Sequence, residues 1–448
     1  MTERVDLLVL GGGMAGMTAA ARAATAGASV LVVDVAPQVG GSARFAGVAW
    51  TAPSHEVMDR INPDGDPELR RVVVDEFPAT LDWIRSTGTE LAAEMPVLGY
   101  GRGHRFDTNH YLDACAGIVR EAGGRILTSA QSERLAVDGS ASTHPAVRGA
   151  RVRHQDVDLE VEAAWTLLAT GGFARNEALL SQHIHPAAGR MPVRANAHSA
   201  GGGYGLGLAA GAASAGAAPG FYGHLVPTHI PFTGPEDFLP LSLFFSEHAL
   251  LFNLRGERFT DESRGDHLTN MALLEQPEAR GLLIADARVH REWITQPYVK
   301  GSVTLDRFAL ASRRGGRVGV ADDLAELAYL PEEWGYPGGA IAAAIGRHND
   351  ALLAGGAIEP DRERDRTPLT EGPYYVVECQ PAITYPFHGL RIDPSARVLD
   401  EAGRPIQGLL CAGSDTGGIY HRAYAGGLAT AAAFATRAVG TALGSTRD

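Results

Sequence analysis

Cysteine is scarce: Cys115, Cys379 and Cys411 are the only three in 448 residues, and they lie far apart. None forms a C-x-x-C pair, so neither a cysteine-held metal centre nor a disulfide framework is expected, and small buried thiols in a reducing compartment are. Without a C-x-x-C-H haem motif or an iron–sulfur cysteine set, the chain carries no electron relay of its own. Long hydrophobic runs are also missing. The first apolar run is only a strand long and leads into a glycine turn, which does not fit a secretory leader. The alanine-rich segment 428–443 contains Arg437 and is short for a membrane span, so a core-packed helix, no membrane insertion and a cytoplasmic location are expected. No lysine- or arginine-rich block occurs, and the net charge of −13 argues against nucleic acid as a partner. What is abundant is glycine. Its 55 residues gather in short turns, the pattern expected where backbone repeatedly approaches a ligand.

The most informative turn lies at residues 7–16, LLVLGGGMAG. An apolar run at 5–10 stops at glycines, a small-residue helical segment follows at 18–26, and a second apolar run at 29–33 ends in Asp34. Strand, glycine turn, helix, strand and acid in that order read as a dinucleotide-binding unit. Gly11, Gly13 and Gly16 fit G-x-G-x-x-G. The first serves the tight turn, the second lets a pyrophosphate approach, and the third lets helix pack on strand. Met14 and Ala15 begin the helix whose N–H groups face the phosphates, and Asp34, followed by Val35, is placed to accept from the adenosine ribose.

Taken in order, the chain repeats this style at both ends. The loop 36–49, with Gly40, Gly41, Ser42, Ala43, Gly47 and Val48, is expected next to where the pyrophosphate would lie, and a loop here can also run alongside a flavin ring. Helices are expected at 68–87, interrupted at Pro78, and at 109–123, with polar loop at 102–106 between them. Hairpin strands at 147–152 and 159–161 lead to Ala169, Thr170, Gly171 and Gly172, a second glycine turn; a third opens the segment 200–213. From about residue 221 aromatics, prolines, histidines and charges replace alanine and glycine. The expected organisation is a first domain part at 1–220, an inserted substrate domain at 221–337 and a returning part at 338–448. Within the last, 338–354 reads as a helix, the DRERDR run near 361–366 as a solvated face, 374–379 as a strand, 388–393 with 396–399 as a hairpin, and 409–412 as a strand ending at Gly413. The fold class is α/β (α+β overall): a Rossmann-like FAD-binding domain with a smaller inserted capping domain. A C-terminus that returns to close the site points to FAD rather than NAD.

The set LLVLGGGMAGMTAA, VGGSARFAG, LLATGGFARN, GERFTDES, ITYPFHGLRIDPSARVLD and GLLCAGSDTGG…YAGGLATAAAFA resembles the fumarate reductase/succinate dehydrogenase flavoprotein superfamily. Within it the chain is most similar to the tricarballylate dehydrogenase and 3-ketosteroid Δ1-dehydrogenase branches. The resemblance implies hydride transfer between flavin N5 and a carbon of an activated C–C bond. It also implies that Thr170 and Gly171 close over the cofactor and that Asp415 holds the ribityl chain or a phosphate. Gly426, Gly427 and Leu428 would present N–H groups at a helix start to the flavin N1/C2 edge.

Several positions depart from the superfamily pattern. Members with covalent FAD carry a histidine where this chain reads SARFAGVAW, so non-covalent FAD is expected. Where fumarate reducers carry an arginine and a histidine, this chain has Tyr424 and Tyr385. The ketosteroid branch has a tyrosine matching Tyr424. Tyr424 is therefore the expected oxyanion donor; its alternative is a core tyrosine. His421 and Arg422 are candidates for a substrate carboxylate or for a surface ion pair. Tyr385 and His388 are candidate pocket residues, and His224 lies near where relatives place a substrate-contacting histidine. Arg264, after GERFTDES, is either a lid arginine or a partner of Asp261 or Asp266. Tyr298 and His290 are candidate bases by residue type alone.

The function expected is dehydrogenation alpha,beta to a carbonyl or carboxylate, with a small ketone or carboxylate substrate and an external electron acceptor or donor. The alternatives are reduction of an activated C=C bond and a non-redox isomerase or hydratase using FAD as scaffold.

Overall fold

The computed structural model describes residues 2–138, 146–297 and 304–444, and Tyr298 lies outside them. The chain divides into two compact units. One comprises Met1–Pro186, Ala195–Phe221 and Tyr385–Asp448, the other Ala187–Arg194 and Tyr222–Thr384.

The first unit is built on an eight-stranded sheet. Five strands run parallel, in the order Pro405–Cys411, Val157–Leu168, Thr2–Leu10, Val30–Val33 and Arg125–Leu127. Leu7–Leu10 and Val30–Val33 are buried throughout, as a parallel sheet covered on both faces demands. The antiparallel ribbon Ala130–Asp138, Ala146–His154 and Val157–Leu168 extends from this sheet. Helix Met14–Thr25, rich in alanine, packs closely against helix Gly427–Leu443, so the two ends of the chain meet in one layer. All three cysteines are buried free thiols. No helix among the described residues is long and apolar enough to cross a membrane.

Local corrections follow from packing. Residues 102–106, expected as loop, largely form strand Gly101–Arg105, because Gly101 and Gly103 let it lie against Trp50 of strand Val48–Thr51. The helical stretch near 68–87 breaks at Glu76, two residues before Pro78, into Pro67–Asp75 and Phe77–Ser86, and Pro78 sits in the first turn of the second helix. The hairpin expected across 388–399 is present as a short one: Ile392 bridges Val398, Asp393 N donates to the Arg397 carbonyl at 3.1 Å and Leu399 N to that of Arg391 at 2.9 Å. Its arms also pair outward, with Ser214–Ala215 and Pro405–Cys411.

The second unit carries a five-stranded antiparallel sheet centred on strand Tyr374–Pro381, which pairs with Leu225–Pro227, Gly281–Ala285 and Val318–Ala321; Leu250–Asn253 completes it. The expected boundary at 337 is thereby moved to 384. Helix Gly338–Leu353 buries Ile341 and Ile345 in this core, and strand Tyr374–Pro381 is the middle of its sheet. The DRERDR run is solvent-exposed as expected at Asp361, Glu363, Arg364 and Arg366, with one exception. Arg362 is 3% exposed, because the buried Glu262 draws it inward.

Candidate active site

The opening turn is shaped by close backbone approach. A side chain at Gly16 would place its Cβ 1.9 Å from the Gly11 carbonyl oxygen, so only glycine lets the helix sit on this turn. Gly13, by contrast, opens outward, with only the Gly40 carbonyl 4.0 Å from where a Cβ would be. No side chain caps the helix at Gly13, and its first turn holds no acid. Asp34 is buried and spans the turn: its Oδ2 accepts from Gly12 N at 2.5 Å and its Oδ1 from Ala36 N at 2.8 Å. Burial pushes this carboxyl up, and the two N–H groups restrain the rise. Ser42 Oγ accepts from Asn196 N at 2.9 Å.

The closing loop meets this turn, since a Cβ at Gly413 would lie 3.1 Å from that of Ala15. Asp415 corrects an expectation. It is fully buried and turned inward, accepting from Thr170 N, from Gly172 N at 2.8 Å and from Thr170 Oγ1 at 3.1 Å. Burial raises its proton affinity, and these donors offset that cost. It therefore clamps the second glycine turn to the closing loop instead of reaching a ribityl chain.

Sequence reasoning missed Asn62, which follows helix His55–Ile61. Its side chain is fully buried; Oδ1 accepts from the N–H groups of His421, Arg422 and Ala423, each at 3.1 Å, and Nδ2 donates to the Ala423 carbonyl at 2.6 Å. A lone asparagine before a proline gives no sign of such a clamp in the sequence. It leaves Arg422 exposed, with no described carboxylate paired to it, while His421 Nε2 lies 3.8 Å from Asp64.

Tyr424 follows directly. Its ring meets Trp50 edge-on at 5.2 Å and Tyr385 at 5.8 Å, and its carbonyl accepts from Tyr100 at 2.7 Å. Trp50 and Tyr100 were not singled out from sequence, because no motif marks them. The Gly427 N–H, expected to face the cofactor, donates to Tyr424 Oη at 2.7 Å. Gly426 allows this arrangement: its φ is +92°, and a Cβ there would fall 1.7 Å from the Trp50 carbonyl oxygen. Tyr385, Phe387, Tyr420 and Thr430 line a cleft beside Gly413 and Gly427. His388 stands apart, stacked on His183 at 4.1 Å and 3.2 Å from the Tyr204 hydroxyl.

In the second unit His224 is buried, its Nδ1 2.6 Å from Asp266 Oδ2 and its Nε2 3.0 Å from the Tyr222 hydroxyl. Arg264 is exposed and reaches Glu363 at 3.5 Å rather than Asp261 or Asp266. The buried carboxylate of its motif is Glu262, which holds Arg258 at 2.6 Å. His290 stacks on Tyr375 and lies 3.2 Å from Asp306.

Residues 6–73 and 70–430 match the family described as FAD binding domain. The chain belongs to that family. This FAD binding domain protein is similar to the fumarate reductase (cytochrome) of Shewanella frigidimarina, at 25% identity over 93% of this chain and 73% of that one. It is also similar to the 4-oxocyclohexanecarboxylate 2-dehydrogenase of Sinomonas cyclohexanicum, at 25% identity over 95% and 90% of the two chains. Its fold superposes on the 3-ketosteroid Δ1-dehydrogenase of Sterolibacterium denitrificans with a TM-score of 0.79 at 19% identity, covering 99% of this chain and 100% of that one. It is a member of the fumarate reductase/succinate dehydrogenase flavoprotein superfamily, with FAD as cofactor, and an FAD-dependent oxidoreductase.

The residues present fit that cofactor. The bare backbone at Gly13 leaves a cradle that any Cβ would begin to fill, before an uncapped helix start suited to a pyrophosphate. Asp34 stands at the end of the second strand, where an adenosine ribose is held in such folds.

Proposed function

We propose that this oxidoreductase desaturates a C–C bond beside a carbonyl or carboxylate, with Tyr424 as the hydrogen-bond donor to that oxygen. The observation that carries the reading is the Gly427 N–H donating to Tyr424 Oη at the start of helix Gly427–Leu443. Bound FAD, held without a covalent link, supplies the hydride acceptor. The chain supplies the rest. A phenol that accepts a hydrogen bond from a helix N-terminal N–H is polarised, and its O–H becomes a stronger donor. Negative charge developing on the substrate oxygen strengthens that bond, an effect worth about 3–4 kcal/mol for a well-placed donor. Trp50 and Tyr385 wall Tyr424 with apolar surface, where such a bond is stronger than in water.

The test is anaerobic mixing of the FAD-loaded protein with a panel of 3-ketosteroids, cyclic ketones and polycarboxylates while flavin absorbance is followed. Bleaching is expected with a ketone or carboxylate, and Tyr424→Phe should slow it about 100-fold while keeping bound FAD. Bleaching by none of the panel overturns desaturation, and an unchanged rate in the variant removes Tyr424 from the chemistry.

The reverse reaction, reduction of an activated C=C bond by electrons from an external donor, has one observation in its favour. Arg422, on the Tyr424 loop, is exposed and without a described carboxylate partner, and its guanidinium suits a bidentate grip on a substrate carboxylate. Among the relatives, one is named urocanate reductase and another vinyl phenol reductase. Reoxidation of the dithionite-reduced protein by unsaturated carboxylates, with no bleaching by saturated substrates, selects this second reading.

A further inference from the structure

Three consecutive backbone N–H groups of the closing loop, those of His421, Arg422 and Ala423, converge on one atom, Asn62 Oδ1. Successive N–H groups aimed at one point form a concavity of the kind that takes an anion. Here a neutral carboxamide fills it. Asparagine suits both halves of the contact, because the other end of its amide, Nδ2, donates to the Ala423 carbonyl at 2.6 Å. An aspartate could accept but not donate. Asn62 is 0% exposed and Ala423 is buried, so water has no access to replace these bonds.

Asn62 is itself held. The guanidinium of Arg70, also buried, donates to the carbonyls of Asn62 and Gly65 and to Asp59 Oδ1 at 2.8 Å. The turn 62–66 then runs along the closing loop. Asp66 N donates to the Gly418 carbonyl at 2.9 Å, and a Cβ at Gly65 would lie 2.5 Å from the Ile419 carbonyl oxygen. The residue that follows Ala423 is Tyr424, whose carbonyl accepts from Tyr100 and whose Oη accepts from Gly427 N at 2.7 Å. Residues 421–426 belong to no helix or strand. No ladder of hydrogen bonds fixes the approach to Tyr424, and the Asn62 carboxamide takes that place.

We propose that Asn62 is a positioning residue for Tyr424: through the loop 421–423 it holds the phenol on the Gly427 N–H. The use of that phenol as donor to a substrate oxygen rests on the desaturation reading above; its placement by Asn62 does not. Loss of the carboxamide leaves the N–H and the carbonyl of buried Ala423 without partners, a cost that drives the loop to move until water reaches them. Tyr424 moves with it. A displacement of about 1 Å at a group that orients the reaction slows the chemistry by up to about 100-fold.

The test uses the full chain and has two arms. In fluorine NMR of the protein labelled with fluorotyrosine, the Tyr424 resonance is the one that Tyr424→Phe deletes. In Asn62→Ala that resonance should shift and titrate at higher pH, as a phenol does on losing an N–H donor to its oxygen. An unmoved Tyr424 resonance overturns the proposal whatever the substrate. Should Asn62→Ala fail to fold, the isosteric Asn62→Asp decides: it keeps the three N–H bonds but sets a carboxylate oxygen against the Ala423 carbonyl, and the same shift is expected. In anaerobic reduction of the FAD-loaded protein by whichever panel compound bleaches the flavin, Asn62→Ala should lower the limiting rate about 10- to 100-fold with FAD retained and substrate binding little changed. The double variant Asn62→Ala/Tyr424→Phe should be no slower than Tyr424→Phe alone. A double variant slowed by the product of the two effects overturns the proposal, because Asn62 then acts by another route. Bleaching by no compound overturns the desaturation reading and leaves the fluorine arm to judge the placement of Tyr424.

Discussion

The cofactor unit and the second unit solve the same problem, fixing irregular backbone around a site, by opposite means. The first does it by closeness. Gly16 and Gly426 bring main chain within distances that no side chain allows, and Asn62 and Asp415 tie the loops with neutral or N–H-saturated bonds. The second does it with buried charge. Glu262, 0% exposed, receives Arg258 at 2.6 and 3.0 Å, Arg362 at 3.3 Å and the Leu251 N–H at 2.9 Å. Burial and these two arginines together push the neighbouring His348 down to about 4. Backbone closeness gives geometry that depends on the absence of atoms. Buried charge gives geometry that depends on every partner being present.

That contrast is broken most directly at Glu262. Glu262→Gln leaves two buried guanidinium groups facing a neutral amide, and a loss of about 3–5 kcal/mol in urea unfolding is expected. A loss below 1 kcal/mol would show that the network is incidental. Gly426→Ala should cost less stability, about 1–3 kcal/mol of backbone strain, yet weaken FAD binding strongly, because Trp50 and the helix start must separate. Flavin titration checks this, and unchanged affinity would refute the closeness argument.

The smallest effect is a difference in pH dependence. Burial beside His183 pushes His388 of the cofactor unit down from 6.5 to about 4. The unfolded chain then takes up the proton first, so stability is complete above 6.5 and is lost as pH falls towards 4. Burial beside Asp266 pushes Glu247 of the second unit up from 4.5 to about 7. There the folded state keeps the proton longer, so stability is complete below 4.5 and is lost as pH rises towards 7. His388→Gln should flatten the acid side of the urea-midpoint profile, and Glu247→Gln the neutral side. Identical shifts in both variants would show that neither group titrates as its surroundings dictate.

Legibility followed the same division. The glycine turn at 11–16, the helix after it, the turn at 169–172 and the returning helix were all readable, because each signal sits within one strand–turn–helix segment. Tyr424 was readable by its place beside Gly426 and Gly427, but not that its hydroxyl takes the Gly427 N–H. The boundary at 384 was not readable, since strand Tyr374–Pro381 looks the same whichever sheet it joins. Nor was the inward turn of Arg362, whose charged neighbours suggest solvent until Glu262 is seen beneath it. Asn62 and the Tyr222–His224–Asp266 chain depend on contacts across long stretches of sequence, which no local pattern encodes.

By itself, then, the sequence determined the cofactor class and the fold that holds it, because glycine spacing and strand periodicity are local consequences of backbone sterics. Tertiary structure alone decided which polar side chains bind one another. Burying a charge or a carboxamide is tolerable only where distant segments bring donors and acceptors to meet it.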